Sequence, residues 1–207
     1  MIATRLVLGE LDTNCWIAED GAGGPLVVID PAGDADELVE AVGGRPVAVI
    51  VLTHGHFDHL GAATALVQSS GAPLAVHVAD AAGITTPHGT GGAQFGFDVC
   101  APPADRALVD GDLIEAGDVR LRVIHTPGHT PGSVCLYAAD DATLFSGDTL
   151  FAGSIGRTDF PGGDPRAILA SLARLAELPG ETAVHPGHGP DTTIVREERV
   201  NPFWPRA

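Results

Sequence analysis

The 207-residue chain contains no lysine: its eleven basic residues are all arginine, against 27 acidic residues and a net charge of −16. So acidic a surface repels phosphate backbones, and no nucleic-acid partner is expected. Cysteine is scarce as well. Cys15, Cys100 and Cys135 lie far apart, with no CxxC pair among them. That spacing argues against a zinc knuckle and a disulfide framework; the three are expected to be reduced thiols, mostly core residues of a cytoplasmic protein. Long apolar runs are missing too. Nothing approaches the ~18 residues of a membrane span, and Met1 to Leu6 lacks a signal-peptide stretch, so no membrane partner is expected. Charged residues make up 18%, below the usual level of about a quarter.

What is present suits a well-buried α/β domain spanning 1–207. Apolar residues make up 44% of the chain, and neither linker, low-complexity tract nor repeat interrupts it. Strands are expected at Ile2 to Leu8, Asn14 to Ala18, Leu26 to Asp30, Val47 to Leu52 and Leu74 to His77. Helical spacing covers Asp34 to Val42 and Leu60 to Ser70. Gly83 to Pro103, rich in Gly, Pro and Thr, reads as a long surface loop. Further strands are expected around Leu113, at Val119 to Ile124, Ser133 to Ala138 and Thr143 to Phe145. A helix from Pro165 to Leu178, a short strand at Thr182 to His185 and a last helix at Thr192 to Val200 complete the reading. Two strand-rich blocks, one in each half, could pack face to face with helices outside.

The chemistry is concentrated in four short segments. His54-Gly55-His56-Phe57-Asp58-His59 puts four potential ligands in six residues, where a buried strand emerges. Imidazole and carboxylate suit Zn²⁺, and also Fe or Mn. Histidines two apart on an extended segment point the same way, so His54 and His56 can share one ion while Asp58 and His59 face another. His129, Asp148 and His188 each follow an apolar strand and sit among Gly or Pro. Seven candidates without a cysteine argue for an open, catalytic site rather than a closed structural one. His77, His88, His125 and His185 read as surface, core or supporting residues. Asp30, at the end of a buried strand, is either a support for the site or a turn residue.

The ordered set HxHxDH, His, Asp, His resembles the metallo-β-lactamase superfamily. The strings Thr126 to Ser133, Phe145 to Phe151, Gly153 to Phe160 and His185 to Pro190 further resemble glyoxalase II-like hydrolases, in particular the short, single-domain proteins of bacteria. The resemblance implies an αββα sandwich of two mixed sheets with the site at one edge. It implies two divalent ions, zinc before iron or manganese: one on His54, His56 and His129, a second on Asp58, His59 and His188, with Asp148 bridging. Where the family's thiol pocket uses a Lys and a Tyr, this chain has Arg157 and Asp159. That departure bears on the glutathione moiety, not on the metal chemistry.

Such a site implies hydrolysis of a small-molecule thioester, such as an S-2-hydroxyacyl (lactoyl-type) thiol, by a metal-bridging hydroxide that Asp58 orients and whose proton it can take after attack. Arg157, nine residues after Asp148, is the candidate substrate anchor, because its planar fork of donors matches a carboxylate. A simple pairing of Arg157 with Asp159 is the competing reading. Gly156 to Phe160 also resembles persulfide dioxygenases of the same fold, which hold one iron on the equivalents of His54, His129 and Asp148. A lactonase shares the same ligands. β-Lactam hydrolysis is disfavoured, since Asp148 stands where a Cys or Ser would be called for.

Overall fold

The computed structural model describes residues 1–205; Arg206 and Ala207, the last of the expected domain, lie outside the described residues. Six strands form the first sheet in sequence order: β1 (Ile2–Leu8), β2 (Thr13–Glu19), β3 (Leu26–Ile29), β4 (Val47–Val51), β5 (Leu74–His77) and β6 (Arg106–Leu108). The first two pairings are antiparallel and the rest parallel. The second sheet comprises β7 (Leu113–Ala116), β8 (Val119–His125), β9 (Val134–Ala138), β10 (Thr143–Gly147), β13 (Ala183–Pro186) and β14 (Thr192–Thr193). A small hairpin, β11 (Leu150–Phe151) with β12 (Ser154–Ile155), stands apart from both. The helices are α1 (Ala35–Val42), α2 (Ala63–Ser70), α3 (Pro165–Leu175) and α4 (Ile194–Val200).

Three apolar layers follow from strand alternation. In β3, Val27 and Ile29 face the opposite sheet, meeting Leu121, Val134, Leu136 and Phe145. Leu26 and Val28 face the other way, onto Leu38 and Val42 of α1 and Leu66 of α2. On the far side, Cys135 and Leu144 of the second sheet pack on Leu172 and Leu175 of α3 and Ile194 of α4. The result is the expected αββα sandwich.

The differences from the sequence reading are local. α2 starts at Ala63 rather than Leu60, because Phe57–His59 forms one 3₁₀ turn. Within the loop Gly83 to Pro103, two short 3₁₀ turns form at Gly83–Thr85 and Gly92–Phe95. Strand β6 and the β11–β12 hairpin were not anticipated, and the last helix starts at Ile194 rather than Thr192, because Thr192–Thr193 pairs with β13 as β14. Cys15 and Cys135 are buried, but Cys100 is exposed, so it is not a core residue.

α3 shows how the fold braces the later ligand loops. Asp164 caps it by accepting from the Arg166 and Ala167 amides, with Pro165 in the first turn, an arrangement worth about 1 kcal/mol. From that fixed helix, Ser171 donates to the Pro127 carbonyl at 2.8 Å and Arg174 to the His125 carbonyl at 2.6 Å. Both acceptors lie on the approach to His129.

Candidate metal centre

Each candidate ligand sits just beyond the end of a strand. β4 runs out into His54 to His59, β8 leads to His129, β10 to Asp148 and β13 to His188. The two sheets are stitched together there. The Val134 amide donates to the Thr53 carbonyl at 2.8 Å, and the Asn14 amide to the Gly187 carbonyl at 2.7 Å. Asn14 Nδ2 adds bonds to the Pro186 and Gly189 carbonyls, both 2.9 Å. Gly187 has no freedom to be anything larger: a Cβ would collide with the Asp148 carboxylate and the His59 ring.

These connections bring all seven sequence-predicted residues into one cluster. His54, His56 and His129 form one group whose ligand atoms lie within 4.8 Å of one another; Asp58, His59 and His188 form a second, and Asp148 joins His54 and His59 in a third. His56 Nδ1 is 2.8 Å from His129 Nε2. His59 Nε2 is 3.5 Å from Asp58 and 3.4 Å from Asp148. Asp148 also reaches His129 at 3.5 Å and His188 at 3.7 Å, and His188 Nε2 is 3.1 Å from Asp58 Oδ2.

The other ring nitrogens are held from behind. His59 Nδ1 lies 3.0 Å from Asp30 Oδ2. Thr53 Oγ1 donates to that same oxygen at 2.7 Å and sits 3.1 Å from His54 Nδ1. His129 Nδ1 lies 2.8 Å from the Arg157 carbonyl. Placing the hydrogens on these Nδ1 atoms leaves each Nε2 lone pair facing inward, the arrangement a metal ligand requires. Asp30 therefore supports the site, settling the choice left open above. It holds φ at +52°, a left-handed conformation that Asp tolerates better than most residues.

Sequence reasoning missed a second support, Asp80. Its carboxylate accepts from the Gly55 amide (2.9 Å), the Gly132 amide (2.7 Å) and the Thr130 hydroxyl (2.7 Å). It thus clamps the His54–His56 segment to the His129 loop. No motif surrounds Asp80, and only tertiary contact reveals its role. Thr13, whose hydroxyl lies 3.4 Å from Asp58 Oδ2, was missed as well.

The electrostatics divide the cluster in two. Burial, reinforced by neighbouring rings, keeps His54 well below its ordinary pKa and takes His56 down to about 4. Burial pushes the same way on His59, but the carboxylates of Asp148, Asp58 and Asp30 outweigh it and raise this ring. Burial pushes the Asp58 and Asp148 carboxyls up, yet the neighbouring histidines hold both below the usual range. Burial thus favours the neutral form of His54 and His56, beside carboxylates that the neighbouring rings hold ionised.

This donor set fits divalent metal ions. His54 Nε2, His59 Nε2 and Asp148 Oδ1 are buried and have no hydrogen-bond partner among the described residues. A buried polar atom left unpaired costs about 1–3 kcal/mol. Three converging on one point, all of them lone-pair donors, are what a bound cation would satisfy.

The metallo-beta-lactamase superfamily model matches residues 8–188. The chain belongs to this superfamily of metallo-hydrolases. A hydroxyacylglutathione hydrolase, GloC, of Haemophilus influenzae is 34% identical, with 92% of each chain covered. Among solved structures, the BLEG-1 B3 metallo-beta-lactamase superposes with TM-score 0.91 at 38% identity, covering 98% of this chain and 99% of that one. TTHA1623, in a di-iron-bound form, gives TM-score 0.87 at 41% identity over 97% and 99%. ETHE1 from Myxococcus xanthus gives 0.80 at 30% identity over 98% and 84%.

In this superfamily member the cluster forms the floor of a cavity of about 570 Å³, into which His56, Asp58, His129, Asp148 and His188 project. Arg157 lines it too. Its Nε and Nη2 donate to the two Asp159 carboxylate oxygens at 2.7 and 2.8 Å. Its guanidinium carbon lies 3.7 Å from the Phe160 ring centroid. Of the remaining histidines, His125 bonds the Pro131 carbonyl at 2.9 Å and stacks on His77 at 4.0 Å. His185 packs against Trp16.

Proposed function

We propose that this chain is a two-metal hydrolase of small-molecule thioesters, such as S-2-hydroxyacyl thiols. The observation that carries the reading is the convergence of the unpaired His54 Nε2, His59 Nε2 and Asp148 Oδ1 just behind the floor of an open cavity that Asp148 lines. His54, His56 and His129 would hold one ion, Asp58, His59 and His188 the other, and Asp148 would be shared. When bound, such a pair brings the pKa of a water towards neutrality and polarises a carbonyl oxygen.

The chain's own residues do the rest. Asp58 Oδ2 sits at the cavity floor, near His188 Nε2 and the Thr13 hydroxyl. The His59 and His188 rings hold it ionised and the Thr13 hydroxyl helps to orient it, so that it can steer the attacking oxygen and accept its proton. Asp30, through Thr53 and His59, fixes the rings against rotation. The Arg157 carbonyl fixes His129, while the Arg157 side chain contributes to the cavity wall as the candidate substrate contact. A thioester suits these residues because a thiolate departs without a strong general acid. Likeness to GloC supports this substrate class.

A second reading, a mono-iron persulfide dioxygenase using His54, His129 and Asp148, draws support from the likeness to ETHE1 and the Gly156 to Phe160 string. Elemental analysis of purified protein, with assays on thioesters, lactones, persulfides and a β-lactam, decides between them. The β-lactam is included because of the likeness to BLEG-1. Two equivalents of metal with thioester turnover and no oxygen uptake is the expected result. One iron with oxygen consumption on persulfide would replace the proposal with the second reading.

A further inference from the structure

The chain is poor in aromatics, at 5%, with seven phenylalanines. Five of the seven, Phe57, Phe95, Phe97, Phe151 and Phe160, line the cavity over the metal centre. They form a connected wall. Phe57 stacks on Phe97 at 4.7 Å, Phe95 meets Phe57 at 6.2 Å and Phe160 at 5.8 Å, and Phe160 meets the His56 ring at 5.8 Å. Across the floor, Phe151 lies 6.2 Å from His188. Phe95 is 53% exposed. Leaving so much aromatic surface in water at a cavity mouth is unfavourable, and such surface commonly marks a place that a ligand covers.

Charge gives the complementary half of the argument. A carrier thiol bearing carboxylates needs cations to meet them. Among the described residues, Arg157 is the one Arg lining this cavity, and the chain has no lysine. Asp159 engages Arg157 through both carboxylate oxygens, and Phe160 covers one guanidinium face. The net charge of −16 adds repulsion for an anionic arm. We infer that the substrate carries a neutral apolar or aromatic arm that lies against the Phe57–Phe95–Phe160 wall while its carbonyl reaches the metal centre, and that a polyanionic thiol such as glutathione is a poor fit. The inference rests on the thioester reading and narrows its substrate. It also gives the loop between β5 and β6 a role, because that loop supplies Phe95 and Phe97.

The test measures binding as well as turnover. Metal-loaded protein is titrated calorimetrically with the thioethers (phenylsulfanyl)acetate and (methylsulfanyl)acetate and with S-carboxymethylglutathione. All three offer a carboxylate to the metals and differ in the arm left for the wall. The phenyl compound should bind about tenfold or more tightly than the methyl compound, the return on burying one ring. S-carboxymethylglutathione should gain nothing over the methyl compound. Phe95→Ala, at an exposed position and with its fold verified by circular dichroism, should remove most of the phenyl advantage; Phe160→Ala is the second variant. Tightest binding by the glutathione compound, or a phenyl advantage that survives both variants, overturns the inference. Kinetics on matched phenyl and glutathione thioesters separate the two claims. Faster turnover of the glutathione ester sinks the apolar arm and leaves the thioester reading standing. A phenyl advantage in binding with no thioester turned over sustains the wall and sinks the thioester reading.

Discussion

Asp30 and His59 meet at 3.0 Å, and the oxygen that faces His59 also accepts from the Thr53 hydroxyl that abuts His54. One carboxylate therefore orients a ring from each of the two triads. Asp30→Ala should weaken metal binding at both positions by about 10–100-fold, the usual effect of removing such a support. Competitive titration against a chromogenic chelator measures it; a loss confined to one ion would show that the Thr53 relay carries nothing.

Asp80 offers a second measurable effect. Its carboxylate satisfies two backbone amides and a buried hydroxyl on two different loops. Asp80→Ala strands those donors, at about 1–3 kcal/mol for each one left unsatisfied. Thermal unfolding should show a clear drop in Tm. Asp80→Asn, which keeps an acceptor oxygen and loses the other, should fall between the two. Equal Tm values for all three proteins would remove Asp80 from the account.

Asp58→Asn tests the proton-accepting role. The amide retains the size of the carboxylate and loses its basicity. With metal content verified, kcat on a thioester should fall by about 10²-fold or more and KM should change little. Near-normal turnover at full loading would assign Asp58 to metal binding alone.

Acid stability should register His77. Burial, and then the neighbouring His125 ring, hold His77 below its ordinary value of 6.5. The unfolded chain therefore takes up this proton first. Stability from the neutral His77 is complete above pH 6.5 and is lost as pH falls from there towards the folded value. His77→Gln should flatten the decline of Tm with falling pH across that window. An unchanged slope would mean that other groups govern it.

Much of this could be read before any coordinates. The seven candidate ligands stand out because imidazole and carboxylate recur next to Gly and Pro at the ends of apolar runs, and few structural demands produce that combination. The sandwich follows from runs such as Leu26 to Ile29, apolar on both faces because both faces are covered. What escaped has a common cause. Asp80, Thr13 and the Arg157 carbonyl act through contacts distant in sequence, and nothing nearby flags them. Strand β6, Arg106–Leu108, has only three residues, and β11 and β12 have two each. Such elements exist by virtue of their neighbours: buried Glu197 bonds the Gly153 amide at 2.7 Å, and Asn201 the Ser154 carbonyl at 3.0 Å. The phenylalanine wall was hidden because its members are scattered from Phe57 to Phe160.

The division of the proposed ligands between the sheets has a consequence for how the molecule could be taken apart. His54, His56, Asp58 and His59 come from the first sheet's connections, and His129, Asp148 and His188 from the second's. Each triad draws on both. Cut in the turn between β6 and β7, the chain becomes two polypeptides, neither of which owns a complete coordination sphere. Bound metal would then add to the shared apolar layer in joining fragments 1–110 and 111–207, coupling their assembly to metal binding. Co-expressed halves should assemble more tightly as free metal rises and loosen on chelation, which would make the protein a metal-responsive split reporter.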